Sequence, residues 1–245
     1  MTNNFSLPES PLIIVPITGN TAEEASEQAK ALKALPADMA EVRLDMMAGE
    51  AGGTRYAECL KAVKDVLNEI PVIATVRTLI EGGEADISDD EYFSICSEII
   101  KSGSADLIDL EISHDSSSVG ELIRLAHENG MEVVASSHDF TGTPESEEIQ
   151  LRLKFMEDIG ADYLKLAFMP SSGDDVVRLM METKEYSLKT ERKLITMSMG
   201  ELGKTSRIFG GFCGSRASFA SAGRSSAPGQ MDVTAVRDIF DRLYR

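Results

Sequence analysis

Eight times along this chain a short run of β-branched and aliphatic residues gives way to a stretch of helical periodicity, at intervals of roughly thirty residues. That rhythm restricts the fold more than any other feature, because successive strand–helix units lay their strands parallel and their helices outside. The predicted strands are residues 12–17, 40–44, 72–77, 107–112, 132–137, 163–168, 194–199 and 215–220. Helices are predicted over 21–35, 54–68, 88–102, 119–129, 146–159, 173–184 and 233–243, while the seventh connection, 201–212, is short and Gly-rich and predicts only a weak helix. Asn20 and Thr21 ahead of the first helix, Glu147 and Glu148 in a first turn, and Gly130 and Gly160 past helix ends are start and stop signals. Eight units in 245 residues predict one α/β domain, a (β/α)8 TIM barrel, with residues 1–10 as an N-terminal extension. Catalytic groups in such a barrel belong at the C-terminal ends of the strands.

The composition narrows the partners. A hydrophobic content of 42% is ordinary for a globular chain, and a formal charge of −17 argues against nucleic acid or an anionic membrane, which both need a basic face. An anionic substrate must then be held by a few locally placed arginines. Cys59, Cys96 and Cys213 share no CxxC spacing, so neither a disulfide framework nor a zinc site is expected, and reduced thiols fit a cytoplasmic location. The first eleven residues have no basic region and the apolar run 12–17 is too short for a signal core or a membrane span.

Two residues carry the chemistry. Lys165 stands between apolar neighbours in Asp162-Tyr163-Leu164-Lys165-Leu166-Ala167-Phe168; burial disfavours an ammonium, which predicts an amine able to attack a carbonyl. His138 ends the strand-like run Glu132-Val133-Val134-Ala135-Ser136-Ser137-His138, where it is suited to shuttling protons near neutral pH. Taken singly, the lysine reads as an edge-strand residue with its head in water and the histidine as a hydrogen-bonded structural residue. Together, on predicted strands five and six, they favour chemistry. Other polar residues gather at strand ends: Glu41 and Arg43, Arg77 and Glu81, Asp109 and Glu111, with Arg207, Ser226 and Gln230 in the last loops. Glu41, Arg43, Asp109 and Glu111 also suit a closed ion-pair network without chemistry. Arg77 and Arg207 are forks suited to a carboxylate or phosphate.

The segments Glu41-Val42-Arg43-Leu44-Asp45, Arg77-Thr78 with Glu81-Gly82-Gly83, Asp109-Leu110-Glu111, Ser136-Ser137-His138-Asp139-Phe140, Met197-Ser198-Met199-Gly200 and Ser226-Ala227-Pro228-Gly229-Gln230, with Lys165 in its strand, follow in an order and spacing that resembles the type I 3-dehydroquinate dehydratases of the shikimate pathway. The likeness covers essentially the whole chain. It implies a homodimeric barrel that converts 3-dehydroquinate to 3-dehydroshikimate, in aromatic amino-acid biosynthesis, through an imine on Lys165 and without metal or organic cofactor. It also implies His138 as general acid and base, Glu81 as the carboxylate orienting that imidazole, Arg207 with Ser226 and Gln230 on the substrate carboxylate, and Glu41, Arg43 and Arg77 around the ring and its hydroxyls. Leu79-Ile80 replace the charged residues commoner in the family, a change expected to touch loop packing rather than chemistry. No GxGxxG fingerprint is present, so no fused shikimate dehydrogenase is expected.

Two other classes compete. A class I aldolase of similar architecture also uses a strand-six lysine, and Gly200, Gly203, Gly210 and Gly211 are of the kind that bind phosphate after strands seven and eight. A non-catalytic ligand-binding barrel has no need of both Lys165 and His138. The segment 222–230 is expected to act as a lid over the barrel mouth, mobile without ligand, with Gly223 and Gly229 absorbing rotation.

Overall fold

The computed structural model describes residues 9–47, 52–223 and 226–245. In chain order these form β1 (Leu12–Ile17), α1 (Ala22–Leu32), β2 (Met39–Arg43), α2 (Gly53–Leu67), β3 (Val72–Thr75), α3 (Asp89–Ser102), β4 (Leu107–Glu111), α4 (Ser116–Glu128), β5 (Glu132–Asp139), α5 (Ser146–Asp158), β6 (Tyr163–Phe168), α6 (Gly173–Ser187), β7 (Lys193–Ser198), α7 (Gly200–Phe209), β8 (Ala217–Phe219) and α8 (Val233–Leu243). Consecutive strands pair in parallel from β1 to β7, and β8 pairs with β1 through Leu12 opposite Ala217. The last gap closes where the Arg216 N–H donates to the Leu194 carbonyl at 2.7 Å and Ser215 bridges to Leu194. The fold is the expected (β/α)8 barrel.

Strand alternation sorts the side chains into two cores. Outward residues such as Ile13, Val42, Leu110, Ala135, Leu164 and Phe168 pack under the helices. Inward ones such as Ile14, Ile73, Leu107, Val134, Tyr163 and Ile195 fill the lower lumen. One or two steps further along the same strands the inward positions turn polar, at Glu41, Thr75, Asp109, Ser136 and Lys165, all buried. An apolar floor therefore carries a charged layer, and the charged layer opens at the C-terminal mouth.

Side-chain caps set several helix starts. Thr21 accepts from the Glu24 N–H, Ser88 and Ser172 form reciprocal capping boxes with Glu91 and Asp175, and Asp115 caps α4. Gly130 and Gly160 adopt positive φ where stop signals were expected. Two departures matter for the site. β3 ends at Thr75 rather than at residue 77, because the Arg77 N–H turns to Asp45 Oδ1 at 3.3 Å instead of continuing a ladder. The weakly predicted seventh helix is well formed, followed by a 3-10 turn over Gly210–Cys213. Gly203 is what permits its close approach to β7, since a Cβ there would lie 2.2 Å from the Ser198 carbonyl oxygen.

Candidate active site

At the C-terminal mouth a cavity is lined by Glu41, Arg43, Arg77, Glu81, His138, Lys165, Arg207, Ser226 and Gln230, so every residue proposed for the site from sequence lies on one surface. Their surroundings differ from expectation in several places.

Arg77, placed just past β3, organises one side. Its Nη1 donates to Glu111 Oε1 at 2.7 Å, Ser136 Oγ at 3.0 Å and Glu81 Oε2 at 3.2 Å, and its Nη2 to Asp109 Oδ1 at 2.7 Å. Burial disfavours the guanidinium, but Asp109, Glu111 and Glu81 outweigh it and hold Arg77 well above its ordinary value. Arg77, a fork suited to an anion from its sequence, lines the cavity while Nη1 and Nη2 both donate to carboxylates. The closed network that Glu41, Arg43, Asp109 and Glu111 also suited does not form among those four: Asp109 and Glu111 pair with Arg77, and Glu41 and Asp109 with Lys165. Arg43 instead makes a two-point fork to Asp45, at 2.8 and 2.7 Å, and Asp45 also accepts from the Arg77 and Glu84 backbones. This half of the mouth buries five carboxylates, Glu41, Asp45, Glu81, Asp109 and Glu111, against three cations, Arg43, Arg77 and Lys165.

Lys165 lies on β6 with its side chain in the lumen. Its Nζ sits 2.8 Å from Asp109 Oδ2 and 3.3 Å from Glu41 Oε1, with the Phe219 ring centroid 4.7 Å away. The expectation of apolar walls around the amine is overturned, and the reason is strand alternation. Leu164 and Leu166 face the helices, so neighbours in sequence are not neighbours of the side chain. Burial alone would raise Asp109, but Arg77 and Lys165 hold it well below the usual carboxylate range.

His138 belongs to β5, which runs two residues further than predicted and pairs His138 with Ala167 of β6. Glu81, in a 3-10 turn after β3, presents Oε2 to the ring Nδ1 at 2.8 Å and to the His138 backbone N–H at 3.1 Å. With Arg77 Nη1 at the same oxygen, three donor positions converge on Oε2, which leaves no room for a hydrogen there. The ring proton then resides on Nδ1, and Nε2 is the basic nitrogen. Burial, with Arg77 and Lys165 nearby, pushes the His138 imidazolium well below its ordinary value, so the ring is neutral near pH 7. Burial raises Glu81 to about 7, against the lowering pull of Arg77.

Among the described residues, the other half of the mouth brings no carboxylate to the cavity. Arg207, on α7, directs Nη1 to the Met197 Sδ at 3.3 Å and Nη2 to the Pro228 carbonyl at 3.1 Å, and its buried Nε has no partner among the described residues. Burial lowers it to about 10. Beside it, the Ser226 N–H donates to Gln230 Oε1 and Gln230 Nε2 to Ser226 Oγ, both at 3.0 Å. The turn seats on α7, where the Gly200 N–H donates to the Pro228 carbonyl and a Cβ on Gly229 would meet the Gly200 carbonyl oxygen at 2.2 Å. Arg224 and Ser225 of the expected lid lie outside the described residues.

The sequence placed Asp109 between an ion-pair role and a catalytic one and gave no role to Asp45, Met197, Met199 or Phe219. The last three are inward positions on β7, at its end and on β8, a period-two signal that was available. Leu79 and Ile80 lie on the outer side of the Glu81 turn, Ile80 with 80% exposure while Glu81 keeps 3%. The glycines that suggested a phosphate site serve packing instead: Gly203 abuts Ser198, Gly211 abuts Pro11 and Gly210 abuts Ser215. Among the described residues no cluster of three His, Cys, Asp or Glu is arranged to hold a metal ion, and no helix is long and apolar enough to cross a membrane.

A parallel eight-stranded barrel that collects a buried lysine, a histidine–carboxylate pair and a buried arginine without a carboxylate at its C-terminal mouth has the layout of a (β/α)8 enzyme. Residues 13–245 match the family model for type I 3-dehydroquinase. The chain is 38% identical over 236 residues to the 3-dehydroquinate dehydratase of Listeria monocytogenes serotype 4a, covering 96% of this chain and 94% of the relative. It is 39% identical to the catabolic 3-dehydroquinate dehydratase of Acinetobacter baylyi, covering 98% and 89%. The crystal structure of type I 3-dehydroquinate dehydratase from Clostridium difficile, with covalently modified comenic acid, superposes with a TM-score of 0.92 at 34% identity, covering 100% of this chain and 99% of that one. This chain belongs to the type I 3-dehydroquinase family.

Proposed function

We propose that this protein dehydrates 3-dehydroquinate to 3-dehydroshikimate, in the shikimate pathway, through an imine on Lys165 with His138 as general acid and base. One observation carries the reading: in a chain of this family, Lys165, His138 and Arg207 converge on a single cavity. Arg207 supplies an uncompensated positive charge for the substrate carboxylate, assisted by Ser226 and Gln230. Arg43 and Glu41 face the ring, and Arg77 acts by holding the carboxylates around it.

The Lys165 ammonium first gives up a proton. The His138 imidazole, neutral and lining the same cavity, takes it. The amine attacks the ketone carbon, the former carbonyl oxygen takes protons and leaves as water, and a cationic iminium forms. Asp109, Glu41 and the Phe219 face then surround a cation as they did the ammonium. His138 Nε2 removes a proton from the carbon next to the iminium, whose electron pair moves into an enamine. The enamine expels the hydroxyl one carbon further on, which departs as water with the proton from His138. Water then hydrolyses the conjugated iminium and returns Lys165. Two waters leave and one is consumed, so the net reaction is a single dehydration.

The test is reductive trapping. Borohydride added with 3-dehydroquinate should leave a reduced-ligand adduct on Lys165, read by intact mass and peptide mapping, and Lys165→Arg should neither trap nor turn over. Full turnover by Lys165→Arg, or an adduct mapped to another lysine, would falsify the assignment. The same reading extends to a cytoplasmic homodimer, whose assembly sedimentation of the purified chain reads directly.

A further inference from the structure

His114 is a buried titratable group with no part in the steps above. It stands three residues past Glu111, its ring stacked on Tyr92 at 4.0 Å between centroids and edged by Phe93. Both ring nitrogens face carboxylate oxygens. Nδ1 lies 2.9 Å from Asp89 Oδ1, and Nε2 lies 3.3 Å from Glu111 Oε2, the second contact too poorly aligned to count as a hydrogen bond. A neutral imidazole has one N–H and would aim a lone pair at one of these carboxylates, so the arrangement calls for the doubly protonated ring. The other groups around it do not supply that charge. Tyr92 and Phe93 come from α3, and Asp115 spends its carboxylate capping α4. Consistently, burial disfavours the His114 cation but Glu111 and Asp89 outweigh it and raise it above its ordinary value.

Glu111 leads from there to the site. Its Oε1 accepts from Arg77 Nη1 at 2.7 Å and the Thr78 N–H at 2.9 Å, and its Oε2 from Thr78 Oγ1 at 2.6 Å. The Thr78 carbonyl in turn accepts from the Glu81 N–H at 3.1 Å and the Gly83 N–H at 2.8 Å, which fixes the turn that carries Glu81 to His138. A chain of contacts thus runs from Asp89, whose side chain is 60% exposed, to the histidine of the cavity. This half of the mouth also carries more buried carboxylates than cations, and an imidazolium at its edge reduces the excess.

We propose that His114 is a positioning residue: as an imidazolium clamped between Asp89 and Glu111, it steadies the Glu111–Thr78–Glu81 frame that aims His138, so the aim of the acid–base group depends on the protonation of a second histidine. The kinetic consequence rests on the dehydration proposed above; the ring state is read without substrate.

The chain has three histidines, His114, His127 and His138, so long-range 1H–15N spectra resolve each ring across a pH series. His114 should show two N–H nitrogens through neutral pH, and Asp89→Asn, which removes one clamp, should move its titration to lower pH. His114→Phe keeps the ring on Tyr92 and deletes both N–H groups. It should shift the His138 ring resonances, lower kcat by about tenfold with KM changed less than about twofold, and abolish the alkaline fall of kcat that His114 deprotonation causes in the parent. A singly protonated His114 near pH 6, an Asp89→Asn titration that does not move, or unchanged His138 resonances and kcat in a folded His114→Phe would each overturn the proposal. If the parent fails to turn over dehydroquinate, the functional reading falls, and the ring spectra still decide the role of His114.

Discussion

Two arginines stand across one cavity, buried almost equally at 4% and 3% exposure, under opposite electrostatics. Arg77 is surrounded by Glu81, Asp109 and Glu111 and is held more firmly cationic than in water. Arg207 meets a thioether and a backbone carbonyl, keeps an orphaned Nε, and is lowered to about 10 by burial alone. In the half of the mouth from β2 to β6 each buried cation meets carboxylates, whereas in the half formed by α7 and the segment after β8 Arg207 meets none among the described residues. Residue type and burial are matched, so the partners alone set the role. An uncompensated buried cation is costly, and a fold retains one chiefly where function uses it.

The two arginines should differ most in what they contribute to stability. Arg77→Met leaves three carboxylates facing one another and should cost about 3–5 kcal/mol at neutral pH, with the penalty shrinking as acid protonates them. Arg207→Met removes a cation whose burial was uncompensated and should leave stability within about 1 kcal/mol or raise it. Urea midpoints of the two variants over a pH series read this directly. Equal losses would erase the distinction drawn between the halves.

Arg207 should show its effect in catalysis instead. Arg207→Ala should lower kcat/KM by about 10²-fold, mainly through KM, because a charge-assisted anion contact disappears. A dehydroquinate analogue without the carboxylate should bind the parent and Arg207→Ala alike. If it still distinguishes them, Arg207 is working on another part of the ligand.

The half from β2 to β6 has a pH signature. Burial raises Glu81 to about 7 from an ordinary 4.5, so the folded chain keeps a proton there that the unfolded chain releases. The contribution favours folding near the lower value and is lost as pH rises through about 7. Glu81→Gln, which cannot ionise, should therefore gain stability relative to the parent between about pH 5 and about pH 8, on the order of 2 kcal/mol. Its kcat should be low, about a tenth of the parent's plateau, and should lack the parent's acid limb near pH 7, since an amide is a weaker acceptor for the His138 Nδ1–H. A parent acid limb that survives in Glu81→Gln would assign that titration elsewhere.

How far the sequence was legible follows the same division. Eight strands, their parallel order and the inward placement of Lys165 and His138 depend on local periodicity, which a sequence displays. The ends of β3 and β5 depend on distant partners, Asp45 for Arg77 and β6 for His138, and were misplaced by two residues each. The Gly-rich start of α7 hid a helix because its glycine answers to the Ser198 backbone rather than to helix propensity. The apolar flanks of Lys165 misled for a simpler reason. In a strand buried on both faces, sequence neighbours report the opposite face, so they could not reveal Asp109 and Glu41 beside the amine.

The smallest effect belongs to the segment after β8, which supplies Ser226 and Gln230 to the Arg207 half. Its base is tied where the Ser221 N–H donates to the Met231 carbonyl and the Val233 N–H to the Ser221 carbonyl. Ser226 and Gln230 hydrogen-bond to one another, so turning either to the ligand carboxylate gives up a neutral hydrogen bond for a charge-assisted one. The gain from such an exchange is about 0.5–1.5 kcal/mol, which predicts a loss of about 2- to 12-fold in kcat/KM for a Ser226→Ala/Gln230→Ala double variant. A lid requires more than this: amide hydrogens of the segment should exchange faster in the free protein and become protected when dehydroquinate is trapped on Lys165. The seat of Gly229 against Gly200 offers a second handle. Gly229 has φ +80 and no room for a Cβ, so Gly229→Ala should unseat the turn, raise its exchange and weaken binding without altering the Lys165 adduct mass. Equal protection with and without ligand, together with unchanged kinetics in the double variant, would reduce the segment to a fixed wall of the cavity.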